Sequence, residues 1–484
     1  MAKPVQESRQ QAESMIPDGG NPKDVRPHGF DSPPAADFAG GRKSQSKMTF
    51  GVFEGSWWEG ACRAFDYTAT RLPIARGSDG NPHSADVDNR AVAAADAKRV
   101  IDESSRVPDL LLDNGGAGLL FEANQDRTQV RPLHEALNRP LISHFIDPIV
   151  TVFQGFNWGG VWQCLQSVSW GKGVWDFAQA RELQMFGVPN VFHLKMGAPV
   201  RRYDTSPVDP YSVRPVVSFV GAQNSSFFLS DAQVALNALL PGVIAHAVRD
   251  DQPDATFWDV YYTLYGMAEP PQPGDSPPEA AKKTFEYFQA KLFYNAVLCQ
   301  KNRDRYVRFL ARHIPDSFEL TGDRWDTAYG LKTRPRIPDT DAYFRNFREV
   351  AVNLNLVNGN AESGLNMRHY EITAAGGFML CHDHPEVRSC FEVGKECDVF
   401  SGESELLEKI NYYLNHPRER EEIARAGQQR TLSQHLYSHR LQEVLRTCSI
   451  GAPVGGANRL QAVQATHAAP EGLVANAVPS RAGL

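Results

Sequence analysis

Arg368 and Glu371, three residues apart in LNMRHYEITAAGG, are the two side chains here best suited to hold a phosphorylated ligand. Gly364, Leu365 and Asn366 stand just before them, and a helix opening at the glycine is expected over about 365–375. Residues three apart on a helix share a face. The free amides at a helix N-terminus suit a diphosphate, and an arginine beside them adds a cation that stays charged. A carboxylate one turn further in can accept both hydroxyls of a ribose. The plainer reading is a surface ion pair worth about 0.3–0.5 kcal/mol.

Other residues could do chemistry at strand ends. Asp147 closes HFIDPIV, with His144 three positions earlier, and either could take a proton from a hydroxyl. On a regular strand the two point to opposite faces, so one at most serves, and Asp147 could equally cap the turn at Pro148. Asp113 opens DNGG, a second strand-end carboxylate in what is also an ordinary turn signal. The GAQNSS loop, with Gly221 and Asn224, could cradle a phosphate through its amides or simply end a strand. It lacks the GxGxxG and GxxxxGK spacings of nucleotide-binding loops. Cys381, His382, His384, Cys390 and Cys397 gather like metal ligands. Their spacing is not that of a paired-cysteine knuckle, and no metal is expected.

The elements that must position these residues follow an alternating rhythm. MTFGVFEG (48–55), PDLLLDNGG (108–116), RPLISHFID (139–147) and NVFHLKMG (190–197) read as buried strands. Helical stretches such as AVAAADAKRVIDESS (91–105) and ARELQMFGVPN (180–190) separate them. Short apolar runs alternating with helices imply βαβ units and a parallel sheet. A Pro- and Asp-rich linker at 204–215 precedes a second series: RPVVSFVG, a helix at 303–315, DSFELTGDRW, EVAVNLNLVNG and GGFMLCHD. Helices at 404–415 and 417–430 follow, with Pro417 suited to a first turn and Gly427 to a helix end. A last helix at about 433–447 is expected to cross back to the first domain. The expected divisions are a disordered arm (1–46), an N-terminal Rossmann-like domain (47–203), the linker (204–215), and a C-terminal Rossmann-like domain (216–432) with a helical insertion (230–300). The crossing helix (433–449) and a disordered tail (450–484) complete the chain. Inside the insertion, Ser276, Pro277 and Glu279 supply a helix start.

Composition limits the function classes. A net charge of −7 argues against a duplex-binding surface, so no specific nucleic acid is expected. No apolar run is long enough for a transmembrane segment, and the first residues reach no apolar signal core. The seven cysteines form an odd set without disulfide spacing, which suits a reducing cytoplasm.

The stretch from Asn353 to Tyr437 resembles the C-terminal half of the CgeB-like (spore maturation) glycosyltransferases. The shared pattern is an Asn-bearing strand, then Arg-x-x-Glu-x-x-Ala-x-Gly, a short apolar strand, His-Pro-x-x-Arg, and His-x-Tyr-x-x-Arg. Here these are Arg368 to Gly376, His416 to Arg420, and His435, Tyr437 and Arg440. ELTGDRW, SFVGA, HFIDPI and VFHLKMGAP carry the likeness upstream, so it spans roughly 48–447. The resemblance implies an α/β fold of the GT-B kind: two Rossmann-like domains facing a central cleft, the nucleotide sugar on the second and the acceptor on the first. It gives Glu371 the nucleotide ribose, with Arg368, Gly364, Leu365, Asn366, Gly221 and Asn224 on the donor. Asp147 or His144 would be the base, with Arg368 stabilising the departing diphosphate. Glu59, Gly60 and Asp113 would lie on the acceptor side, where Trp57 and Trp58 could stack a sugar or pack. His435, Tyr437 and Arg440 would anchor the final helix.

One departure stands out. Broader relatives carry a second glutamate eight positions before the ribose glutamate, and this chain has Ser363 there, next to Glu362. Stereochemistry is therefore left open. The expected activity is sugar transfer from a nucleotide-diphosphate sugar to an unidentified acceptor (glycan, protein, lipid-linked or small molecule), without metal or other cofactor. A non-catalytic sugar-nucleotide-binding or assembly protein of an envelope or spore layer is the alternative, and a sugar-nucleotide epimerase a third.

Overall fold

Among the described residues, eleven strands in two parallel sheets form the frame. The computed structural model describes residues 48–448, leaving out 77–86, 124–129, 149–161, 225–271, much of 273–298 and a few isolated positions. The arm at 1–46, the tail at 450–484 and nearly all of the expected insertion lie outside the described residues.

The first sheet has the order β2-β1-β3-β6-β7-β8, every pairing parallel. Its strands are β1 (Thr49–Phe53), β2 (Thr68–Leu72), β3 (Leu110–Asn114), β6 (Leu141–Phe145), β7 (Trp170–Val174) and β8 (Val191–His193). A small antiparallel hairpin, β4 (Phe121–Ala123) and β5 (Val130–Pro132), stands apart. Helices α1 (Trp58–Ala64), α2 (Val87–Glu103) and α3 (Phe177–Met185) connect the strands. β1, β6 and β7 are buried along their whole length, as a parallel sheet covered on both faces requires.

The second sheet has the order β10-β9-β11-β12-β13, again wholly parallel. It contains β9 (Arg214–Val220), β10 (Phe318–Thr321), β11 (Val350–Asn355), β12 (Met379–His382) and β13 (Asp398–Phe400). Its helices are α4 (Arg305–His313), α5 (Thr340–Arg348), α6 (Met367–Ala375), α7 (Glu403–Asn415), α8 (Pro417–Gln434) and α9 (Tyr437–Thr447). Both sheets reverse winding direction next to their first strand, between β1 and β3 and between β9 and β11. Such switch points open a crevice at the strand C-termini, where ligands of doubly wound sheets bind.

Three elements differ from the sequence reading. β2 is an edge strand with most of its side chains exposed, so it carries no apolar run. β7, WGKGV, looks polar, but Lys172 is fully buried in it. Its ammonium donates to the carbonyls of Ser167, Trp170 and Pro189 at 2.9–3.0 Å, and burial lowers its pKa to about 7. Gly427, expected to end a helix, sits inside α8. A Cβ there would stand 2.3 Å from the Glu396 carbonyl, so the glycine serves close packing.

Helix α9 packs on the first sheet's side. Tyr437, Leu441 and Val444 share one buried cluster with Phe50, Trp58, Ala61 and Ile142. Trp58 meets the Tyr437 ring edge-on at 5.3 Å. The backbone exchange Ala198 N–H to His435 O and Tyr437 N–H to Ala198 O fixes where the chain crosses. Arg440 donates to Met196 O at 2.9 Å from the same helix. A further apolar cluster spans the two halves, with Trp175, Met196 and Ala198 against Leu365, Tyr370, Ile372 and Phe391.

Candidate functional site

The crevice at the β9/β11 switch point is lined by two loops and the start of α6. Asn353 and Asn355 on β11 are buried. Asn355 Nδ2 donates to Asn366 Oδ1 at 3.2 Å, and Asn366 Nδ2 to Leu356 O at 3.1 Å. Asn366 thus spends its amide beneath the helix and does not cap α6. The Met367 and Arg368 amides, in the first turn, have no protein acceptor among the described residues. That leaves the helix N-terminus free for an anion.

Arg368 and Glu371 are not the surface pair of the plainer reading. No ion pair joins them, and Glu371 is only 6% exposed. Glu371 accepts a 2.7 Å hydrogen bond from the Tyr343 hydroxyl of α5, and burial raises its pKa despite the Arg368 charge and that bond. The Arg368 Nε is buried with no hydrogen-bond partner among the described residues, and its guanidinium lies 5.8 Å from the Tyr343 ring centroid. A second guanidinium, Arg303, donates to the Ala222 and Leu356 carbonyls where β9 and β11 end. Burial, with the Arg368 charge contributing, lowers its pKa to about 10. Two cations beside unsatisfied amides make this crevice receptive to negative charge.

The other donor-side positions are held by the protein itself. Asp176, fully buried at the start of α3, accepts the N–H groups of Glu362, Ser363 and Gly364 on one carboxylate oxygen, at 2.7, 2.8 and 2.9 Å. Its other oxygen accepts the Ser363 hydroxyl and the Gln179 amide. The Ser363 Oγ accepts from Ala178 N–H. The Leu365 amide goes to Glu386, which also faces His193 and Lys195. Glu362 and Glu182 both pair with buried Lys291. In the β9 loop, Gly221 N–H bonds Thr321 O, and Asn224 Oδ1 accepts from Arg324, so both are tied to the 321–325 turn.

The base candidates separate sharply. Asp147 lies two residues beyond β6, not in the strand as expected; it accepts from Asn360 Nδ2 of the second half at 3.1 Å, and burial pushes its pKa up to about 6. His144 is fully buried and fully engaged. Its Nε2 donates to Leu194 O at 2.8 Å, so Nδ1 accepts from the Tyr437 hydroxyl at 3.0 Å. Burial lowers its pKa to about 3, and the ring clamps α9.

Positions expected on the acceptor side serve local structure. Asp113 is fully buried, accepts the Gly118 amide to close the turn after β3, and is pushed up to about 6 by burial. Glu59 is exposed and pairs with Arg63 one turn on, and Gly60 packs against Val200. Trp58 is buried with its indole N–H on Asp113 O, while Trp57 packs against Tyr437. Of the cysteine and histidine group, Cys381 and Cys397 stay in side-chain contact while the others point elsewhere. The His382 ring lies against Tyr306 and Phe400, and Cys390 contacts the Tyr370 hydroxyl. Among the described residues no three His, Cys, Asp or Glu gather as metal ligands.

Asp176, Tyr343, Arg303, Glu386 and Lys291 escaped sequence reading. Only Asp176 had a local signal, an aspartate followed by the helical FAQARELQM, which is an N-cap pattern. The others are brought in by distant segments.

Residues 303–446 match a family model described as glycosyl transferase-like. No curated protein matches the chain. Several solved structures are similar at low identity. Sucrose-phosphate synthase from Thermosynechococcus elongatus is 11% identical, over 83% of this chain and 98% of that one, with a TM-score of 0.42. Anabaena HepE in complex with UDP and glucose is 10% identical, over 83% and 100%, with a TM-score of 0.44. A putative UDP-N-acetylglucosamine 2-epimerase from Listeria monocytogenes is 11% identical, over 79% and 91%, with a TM-score of 0.35. No helix among the described residues is long and apolar enough to cross a membrane.

Proposed function

We propose that this chain transfers a sugar from a nucleotide-diphosphate donor to a hydroxyl-bearing acceptor, with the nucleotide on the second half and the acceptor against the first. The observation that carries the reading is Arg368: a buried guanidinium nitrogen without a partner, at an uncapped helix N-terminus, within the segment that matches glycosyl transferase-like proteins. The Arg368 side chain is half-buried, and a buried donor nitrogen left without an acceptor is costly until a ligand reaches it. Arg368 and the α6 amides would take the diphosphate, whose charge grows as the glycosidic bond breaks. Glu371 would take the ribose, exchanging its bond to Tyr343 for the sugar hydroxyls. Asp147, its pKa raised by burial to about 6, would take the acceptor proton in its ionised form. With the positive charge supplied by the protein, transfer is expected to be metal-independent and to survive EDTA. Within the transferases we place the chain with the CgeB-like group, acting in the cytoplasm, with domains at 47–203 and 216–432.

Ser363 and Glu362 support a second reading, a sugar-nucleotide-binding protein without transfer. The positions nearest the expected sugar-contacting glutamate are committed to Asp176 and Lys291. Calorimetry and thermal shift against UDP-, GDP- and dTDP-sugars, with Glu371→Ala as control, test both. Stabilisation by one donor, lost in the variant, supports the site, and release or transfer of the sugar then separates enzyme from binder. A folded protein that responds to no donor would sink the Glu371 and Arg368 assignment.

A further inference from the structure

The amides of Glu362, Ser363 and Gly364 converge on a single oxygen of Asp176. Successive N–H groups aimed at one point form an anion cradle, the same geometry that holds phosphate oxygens in glycine-rich loops. Its occupant comes from the opposite half of the molecule, since Asp176 follows β7 of the first sheet. The approach is close enough to require a glycine. A Cβ on Gly364 would stand 2.9 Å from both the Asp176 Cα and the Trp175 carbonyl. Further bonds hold the same loop to the first half: Gln179 Nε2 to Asn360 O at 2.6 Å and Asn360 Nδ2 to Asp147. The cradle lies two residues before Asn366, which begins the helix carrying Arg368 and Glu371.

We propose that Asp176 is a resident anion that occupies, in this closed arrangement, the cradle a diphosphate oxygen of the donor takes when the halves separate. The identity of the incoming anion rests on the transfer reading, while the cradle and its occupant do not. Asp176 then sets the threshold for donor entry. The donor must displace a carboxylate from three amides, and its departure lets the carboxylate return and the crevice close. The first half thereby senses whether the donor site is filled.

The test is calorimetric titration of the full chain with inorganic pyrophosphate, comparing the parent with Asp176→Ala and Asp176→Asn. Losing the competing charge is expected to tighten pyrophosphate binding by about tenfold or more in Asp176→Ala, and by less in Asp176→Asn, which keeps one acceptor. Unchanged or weaker pyrophosphate binding in a folded Asp176→Ala would overturn the proposal. If that variant does not fold, Asp176→Asn carries the test by the same criterion. Tightening for acetate alone would also overturn it, since the cradle would then fit a carboxylate and not a diphosphate. Pyrophosphate carries neither ribose nor sugar. A gain with pyrophosphate alongside indifference to every nucleotide sugar would uphold the cradle and remove the transfer reading, and the reverse pattern would do the opposite.

Discussion

Helices α3 and α6 start close together on opposite sides of the crevice, and their first turns are treated in opposite ways. The α3 start is closed: Asp176 accepts the Gln179 amide, and Ser363 Oγ accepts the Ala178 amide. The α6 start is open: Asn366 turns its side chain beneath the helix, and the Met367 and Arg368 amides meet no protein acceptor among the described residues. A helix terminus whose amides are held by the protein is closed until its partner moves, whereas one with free amides beside a half-buried arginine is open to an anion as it stands. A sequence scan sees two similar nine-residue helices, and only their partners tell scaffold from site.

The contrast can be broken most forcefully on the closed side. Lys291→Met leaves Glu182 and Glu362 facing each other in a buried setting, and should cost about 3–5 kcal/mol in a urea titration. A loss below about 1 kcal/mol would mean that the charges find water and that the closed side is not locked. On the open side, Arg368→Ala should behave in the reverse manner. Stability should stay within about 0.5 kcal/mol of the parent. Affinity for the nucleotide diphosphate should fall about tenfold to a hundredfold. Melting curves and calorimetry on the same samples check both halves of that statement, and a large stability loss would make Arg368 scaffold after all.

Asp147 sharpens the comparison through pH. Its folded pKa is raised to about 6, so the folded state holds the proton more tightly than the unfolded chain, and this contribution to stability is lost as pH rises through about 6. Asp147→Asn should therefore be more stable than the parent by on the order of 1–2 kcal/mol above pH 6. The difference should vanish near pH 4, and denaturant titrations at both values measure it. The smallest effect belongs to Glu59→Ala. Its exposed pair with Arg63 predicts a change no larger than about 0.5 kcal/mol, with nucleotide affinity unaltered. A clear loss of nucleotide affinity there would return Glu59 to the site.

Much of the frame was legible because parallel strands covered on both faces must be apolar throughout. LLLDN, LISHF and VAVNLN announce themselves in that way. β7 did not, since a buried lysine satisfied by three carbonyls looks like a surface residue until its partners are known. Arg368 and Glu371 were legible as a pair because they share a helix face. Their environment was not, because Tyr343 and Arg303 come from other segments. His144 misled for the same reason: a histidine at a strand end suggests catalysis, and the Tyr437 that occupies it lies almost three hundred positions away.

By itself the sequence determined periodicity and local order: two alternating strand and helix series, a proline that starts α8, and a helix face bearing an arginine and a glutamate. Those follow from the spacing of apolar residues and from backbone chemistry, which act over a few positions. The tertiary structure alone decided which polar groups were already satisfied, and hence which amides Asp176 holds and which are open to a ligand as they stand. Hydrogen bonds saturate, and a donor claimed by a residue from the other half of the molecule reaches a ligand only when that residue is displaced, a fact that no local pattern can carry.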